Sequence, residues 1–132
     1  MILADTSAWV EYLRGSGNAV HTRMRAALID AEIAVCDAIR MEVLAGARRE
    51  QHLRDLRRLL ARAVTLETLP SDYDAAAASI YRSCRRHGET PRSLIDCLIA
   101  AIAIRGGATV LHADRDFSVI ARHSTLQTLA PS

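Results

Sequence analysis

Apolar and polar positions follow two alternating rhythms along the chain. Five short, mainly apolar runs (residues 2–5, 33–36, 64–69, 108–111 and 126–129) have the length and content of buried strands. The stretches between them carry helical spacing. Residues 7–14 read as a short helix stopped by Gly15-Ser16-Gly17. Asn18 caps a helix to about Ile29, with Val20, Met24, Ala27 and Leu28 on one face. Asp37 is expected to cap a helix that runs through Glu42 to about Ala47. The next helix, 50–63, sets Leu53, Leu56, Leu59 and Leu60 on one side and Arg54, Arg58 and Arg62 on another. Ser71 or Asp72 opens an alanine-rich helix that ends near Gly88. The most apolar helix spans 93–105, closed by Gly106-Gly107, and residues 114–122 form the last. Strands that alternate with helices predict an α/β fold, a mostly parallel central sheet flanked by helices.

That fold gives meaning to five acidic residues. Asp5 ends the first apolar run, Glu42 lies in the helix after the second, Asp96 opens the most apolar helix, and Asp114 and Asp116 follow the fourth run. Open parallel sheets bind ligands beyond the carboxyl ends of their strands, so carboxylates distant in sequence would share one rim. Unneutralised, a pair at ~4 Å repels by about 4 kcal/mol at an effective dielectric near 20; a divalent cation removes that penalty. Each acid also has a purely local reading. Asp5 and Asp114 suit N-caps, Ser93-x-x-Asp96 has the form of a capping box, and Glu42 could be solvated. Two details favour chemistry. Ile39, Met41, Val43 and Leu44 surround Glu42, and Asp96 stands at the mouth of a helix that is apolar nearly all round.

At 132 residues the chain is expected to be one domain, 1–132, with a substantial core. No apolar run reaches the ~18 residues of a membrane span, and the reading is a soluble, cytoplasmic protein with no membrane role. Cys36, Cys84 and Cys97 form no CxxC pair and read as buried thiols; the histidines form no zinc motif. The net charge of +2 does not imply a broad nucleic-acid surface. All 17 basic residues are arginine. The lack of lysine disfavours a phosphoacceptor receiver domain and a haloacid-dehalogenase-type phosphatase, both of which need one. The arginine stripe at 54, 58 and 62, and Arg82, Arg85 and Arg86, read as solvated faces before RNA tracks.

The motifs Asp5-Thr6-Ser7, Glu42, Ser93-Leu94-Ile95-Asp96-Cys97-Leu98-Ile99-Ala100-Ala101 and Asp114-Arg115-Asp116-Phe117, in this order, resemble those of PIN-domain ribonucleases, specifically the VapC toxins of bacterial toxin–antitoxin pairs. The resemblance implies a single PIN-like nuclease domain that is a metal-dependent endoribonuclease using Mg²⁺ or Mn²⁺, with RNA as substrate and structured RNA such as tRNA as the expected kind. It implies Asp5 and Asp96 as main metal ligands, Glu42 and Asp114 at a second ion or acting through water, and Asp116 in support. Asp114 ranks ahead of Asp116 for the fourth acidic place. Thr6 and Ser7 would donate hydrogen bonds to a carboxylate or phosphate, Ser93 would orient Asp96, and Arg115 is the first choice for a phosphate contact. A homodimer is expected, with the alanine-rich helix over 74–86 as one candidate surface. A VapB-type antitoxin is expected across the first helices and the acidic rim. Trp9, Tyr12 and Leu13 fall at i, i+3 and i+4, either as core or as apolar anchors for that partner. The rivals are a non-catalytic RNA-binding module and a flap-type DNA nuclease, for which 132 residues leave little room.

Overall fold

The computed structural model describes residues 1–132. Its five strands, β1 (Ile2–Ala4), β2 (Ile33–Val35), β3 (Val64–Thr65), β4 (Thr109–Leu111) and β5 (Thr128–Leu129), form one sheet in the order β3-β2-β1-β4-β5. Every pairing is parallel, as runs such as Ile2-Leu3-Ala4 and Ile33-Ala34-Val35, buried on both faces, require. Seven α-helices flank it: α1 (Thr6–Leu13), α2 (Ala19–Ile29), α3 (Asp37–Ala45), α4 (Glu50–Leu60), α5 (Ala78–Arg86), α6 (Leu94–Gly106) and α7 (Arg115–Arg122). No helix is long and apolar enough to cross a membrane.

From the central β1 the chain builds outward to β2 and β3 on one side, and later to β4 and β5 on the other. The strand order therefore reverses between β1 and β4, where open sheets of this kind leave a crevice above the strand ends. Helix α6 begins at this rim. Residues Asp96 through Ala103 are all buried, and the helix closes on Gly107 at φ 65°, a left-handed conformation glycine adopts without strain.

Several local expectations shift. Asp37 is the first residue inside α3, and the cap is Cys36, which makes no side-chain capping bond; the carboxylate still favours the helix N-terminus electrostatically. Strand β3 is confined to Val64–Thr65, because beyond it Glu67 and Asp72 tie the chain to Arg105 of α6 instead of to a neighbouring strand. The alanine-rich helix starts as a π-helical segment, Asp72–Ala77, before α5. The Val20, Met24, Ala27 and Leu28 face of α2 is buried as expected, and so are the three free thiols.

Candidate active site

Asp5 is placed by two neighbours in the sheet. Its N–H donates to the Leu111 carbonyl of β4 at 2.9 Å, so the end of β1 is fixed against the end of β4. Its carboxylate caps α1, with Oδ2 accepting from the Ser7 N–H at 3.0 Å and the Ser7 hydroxyl at 2.7 Å. That hydroxyl oxygen in turn accepts the Ala113 N–H at 2.9 Å, which links α1 to the loop bearing Asp114. Thr6 donates its hydroxyl to Glu42 Oε1 at 2.9 Å. Thr6 and Ser7 are thus hydrogen-bond donors to carboxylates.

The second half of the site is a stack of aspartates. Asp114 caps α7 and accepts the Asp116 N–H at 2.9 Å; its own N–H donates to Nδ1 of buried His112 at 3.2 Å. Asp116 is buried, and its Oδ2 accepts the N–H groups of Arg92 and Ser93 at 3.0 and 3.1 Å. Ser93 therefore acts differently from expectation. Its side chain makes no capping bond in α6; its backbone holds Asp116 instead, because the turn into α6 presents N–H groups that have no helical partner. Carboxylate oxygens of Asp96, Asp114 and Asp116 lie within 4.8 Å of one another.

An open cavity of about 290 Å³ joins the halves, and Asp5, Glu42, Asp96 and Asp114 all line it. Asp116 lies just behind Asp96 and Asp114. Glu11, which the motifs did not single out, is a further acid on the wall. It sits four residues after Ser7, hence on the same helix face, and that spacing was the signal for it.

Crowding shows in the protonation equilibria. Burial pushes the Asp96 carboxyl up to about 8, aided by its hydrogen bond to Asp116 and the charges of Asp5 and Asp114. Asp116 moves down: burial works against its charge, but the N–H groups of Arg92 and Ser93 and the hydrogen bond from Asp96 outweigh it. Without a cation the two carboxyls thus share a proton held mainly on Asp96. Burial also raises Asp5, over the opposing bonds from Ser7. Such a cluster, all oxygen in its ligand set and short of positive charge, fits a hard divalent cation.

Two arginines border the acids in different ways. Arg115 is exposed and forms no ion pair, because as the first residue of α7 it projects outward while Asp116 turns in. Arg92, directly ahead of Ser93, lies 3.6 Å from both Asp114 and Asp116, with 78% of its side chain exposed.

The partner anchors also need correction. Trp9 is 0% exposed and belongs to the core, since α1 is covered by both α2 and α3. Tyr12 is half-buried against Trp9 and His21, while Leu13 and Val10 are exposed at 43% and 45%. These two border an apolar hollow of about 300 Å³ between α1, α3 and α4, which shares Thr6, Val10 and Glu42 with the acidic cavity.

Comparison with known proteins adds three findings. The family model of the PIN domain matches residues 2–123. The chain is 49% identical over 129 residues, 96% of each protein, to VapC ribonuclease Mb1587 of Mycobacterium bovis and to Ribonuclease VapC11 of Mycobacterium tuberculosis. Among solved structures, VapBC2 from Rickettsia felis bound to a DNA fragment from its promoter superposes with a TM-score of 0.76 at 19% identity, covering 98% of both chains. VapC20 of Mycobacterium tuberculosis, a Sarcin-Ricin loop cleaving toxin, gives 0.61 at 18% identity, over 89% of this chain and 93% of that one. At these identities the structures speak to the fold.

Proposed function

The chain belongs to the PIN-domain family, among its VapC ribonucleases, and from that premise we propose that it is the toxin of a type II toxin–antitoxin pair, an endoribonuclease that cuts structured RNA such as tRNA with Mg²⁺ or Mn²⁺. The carrying observation is the convergence of Asp5, Glu42, Asp96 and Asp114 on one cavity. Asp5 and Asp96 would hold the ion, with Asp114, Glu42 and Asp116 completing the ligand set or engaging it through water. When bound, the ion supplies an activated water and charge neutralisation at the scissile phosphate.

The protein's own groups keep the ligands aimed. Ser7 fixes Asp5, Thr6 fixes Glu42, and the turn at Arg92 and Ser93 fixes Asp116, which in turn orients Asp96. Because the Ser7 bond is part of the α1 cap and the others join different elements, a folded chain presents the carboxylates pre-arranged. The direct test is cleavage of total tRNA by purified protein with Mg²⁺ or Mn²⁺, and its arrest by chelator. Cutting that persists in excess chelator removes this reading. A non-catalytic RNA-binding module would not need the acids crowded into one cavity.

A cytoplasmic ribonuclease must be restrained, and the hollow beside the acids suits an antitoxin. An apolar segment would seat against Val10, Leu13 and Val43, while a basic side chain reaches the carboxylates. Leu13→Ala should weaken antitoxin binding by about 1–2 kcal/mol in titration calorimetry, with cleavage unchanged. Trp9→Ala is expected to act otherwise: loss of a buried indole should lower stability by about 3–5 kcal/mol in denaturant unfolding.

A homodimer has a candidate surface where the alanine-rich helix meets α6. Tyr73, Ala77, Ala78, Leu94, Ile95 and Leu98 line a wholly apolar hollow there, and Tyr73 and Leu94 are exposed at 58% and 61%. Leu94→Asp should convert dimer to monomer in sedimentation at micromolar concentration. An unchanged sedimentation coefficient would place the interface elsewhere.

A further inference from the structure

Charge is distributed unevenly around the acidic cavity. From Ala75 to Ser132 the chain has only four acidic residues, Glu89, Asp96, Asp114 and Asp116. Three belong to the acidic cluster. Glu89 is held by Arg122 and by His123 Nε2, the latter at 2.7 Å. The same stretch has seven arginines. Arg105 is tied to Asp72 and Arg122 to Glu89; Arg92 lies 3.6 Å from Asp114 and Asp116, and Arg82, Arg85, Arg86 and Arg115 form no ion pair. In residues 1–74, by contrast, eleven acidic residues offset ten arginines, and Arg14, Arg40 and Arg58 pair with Glu11, Asp37 and Asp55.

Four arginines of this stretch sit on the elements and turns that lead into the cavity. Arg85 and Arg86 close α5, whose C-terminus leads through a short turn to α6 and Asp96. Arg92 lies in that turn and Arg115 begins α7 beside Asp114. Arg85, Arg86 and Arg115 are exposed and make no ion pair; Arg85 rests over the Tyr81 ring at 5.7 Å. Arg92 stands 3.6 Å from its carboxylates, beyond direct hydrogen bonding, and is free to turn outward. A cavity rich in carboxylate repels a polyanion at short range, and exposed charges act over only about 10 Å in ordinary salt. A phosphodiester chain that reaches the acids therefore needs cations beside them. Base stacking is a poor substitute, since Trp9 and Phe117 are buried and Tyr73 is the one tyrosine ring that is largely exposed.

We propose that Arg85, Arg86, Arg92 and Arg115 form the RNA-binding flank of the cavity and grip successive backbone phosphates to one side of the scissile bond. This rests on the ribonuclease reading. It also assigns RNA and antitoxin different flanks, the arginines of α5 to α7 for one and the apolar hollow of α1, α3 and α4 for the other, which meet only at the acids.

The test is binding of labelled total tRNA to the full chain in chelator, followed as a function of salt, alongside cleavage with Mn²⁺. Arg85→Ala/Arg86→Ala should bind about tenfold more weakly, with a log–log salt slope flatter by about 1.4, two contacts at ~0.7 each. Its KM should rise while kcat holds. Arg115→Ala, a separate exposed change, should flatten the slope by about half as much. Arg54→Ala/Arg58→Ala on α4 should match wild type. Wild-type affinity and slope in both flank variants, with wild-type cleavage intact, would overturn the flank and leave the ribonuclease reading standing. Equal weakening by the α4 pair would overturn it too, as would loss of antitoxin binding in place of RNA binding. If tRNA binds through these arginines but is never cut, the ribonuclease reading falls, and the flank of a scissile bond falls with it. No tRNA binding by wild type removes both.

Discussion

Asp96→Asn should reduce RNA cleavage by at least about a thousandfold, some 4 kcal/mol of barrier, and in chelator should yield a protein that melts at a higher temperature than wild type. Both effects have one cause. Asp96 is buried at the mouth of α6, beside Asp116 and within the fields of Asp5 and Asp114. Ionised and unpaired there, it is a liability to the fold; with a cation bound, it is a ligand. The amide keeps the shape and the hydrogen bond to Asp116 but removes both the charge and the ligating strength. Asp5→Asn should lose cleavage similarly, with a smaller gain in melting temperature, since Ser7 already stabilises its charge. Cleavage within threefold of wild type, with circular dichroism unchanged, would show that Asp96 is not a ligand the reaction depends on.

The second large effect is on stability against pH. Asp96 ionises at about 8 in the folded chain, against 3.8 for the ordinary group. A carboxyl whose folded value is raised contributes stability that is fully present below the unfolded value and is lost as pH rises through the folded one. In chelator the protein should therefore lose stability between about pH 4 and pH 8, on the order of a few kcal/mol, and then level off. Asp116, shifted the opposite way, adds a smaller rise confined to the acidic end. Mn²⁺ should reverse the decline, because it binds the ionised cluster and displaces the shared proton. Its affinity should then increase with pH over the same window. Melting curves from pH 4 to 9, with and without Mn²⁺ and with Asp96→Asn as reference, give the measurement. A wild-type profile parallel to that of Asp96→Asn would mean that the Asp96 proton does not govern stability.

The same groups explain why the site is easy to find and hard to describe from the chain alone. Asp5, Asp96 and Asp114 are visible because each ends an apolar run or begins a helix, and those are local features. Period-two and period-3.6 patterns reveal which face of an element turns inward, so the strands, the buried face of α2 and the caps at Asp5, Asn18 and Asp114 all follow from neighbouring residues. A parallel arrangement also follows, since helices separate the strands.

How residues far apart in sequence meet is set by packing. Periodicity places Trp9 and Leu13 on the same stripe of α1, yet α2 and α3 cover the first and leave the second exposed. Sequence places Arg115 between two aspartates, as a phosphate contact or as their partner, and α7 turns it outward with no ion pair. The turn before α6 brings Arg92 to those aspartates instead, across 22 and 24 positions of sequence. Ser93 has the local form of a capping residue, while its backbone serves Asp116 on another helix. Most elements, the class of fold and the acids at the strand ends are legible in local patterns, because short-range sterics and burial act between near neighbours. The partners of each acid depended on strand order and on which faces pack together, a balance of long-range contacts that no single stretch of the chain contains.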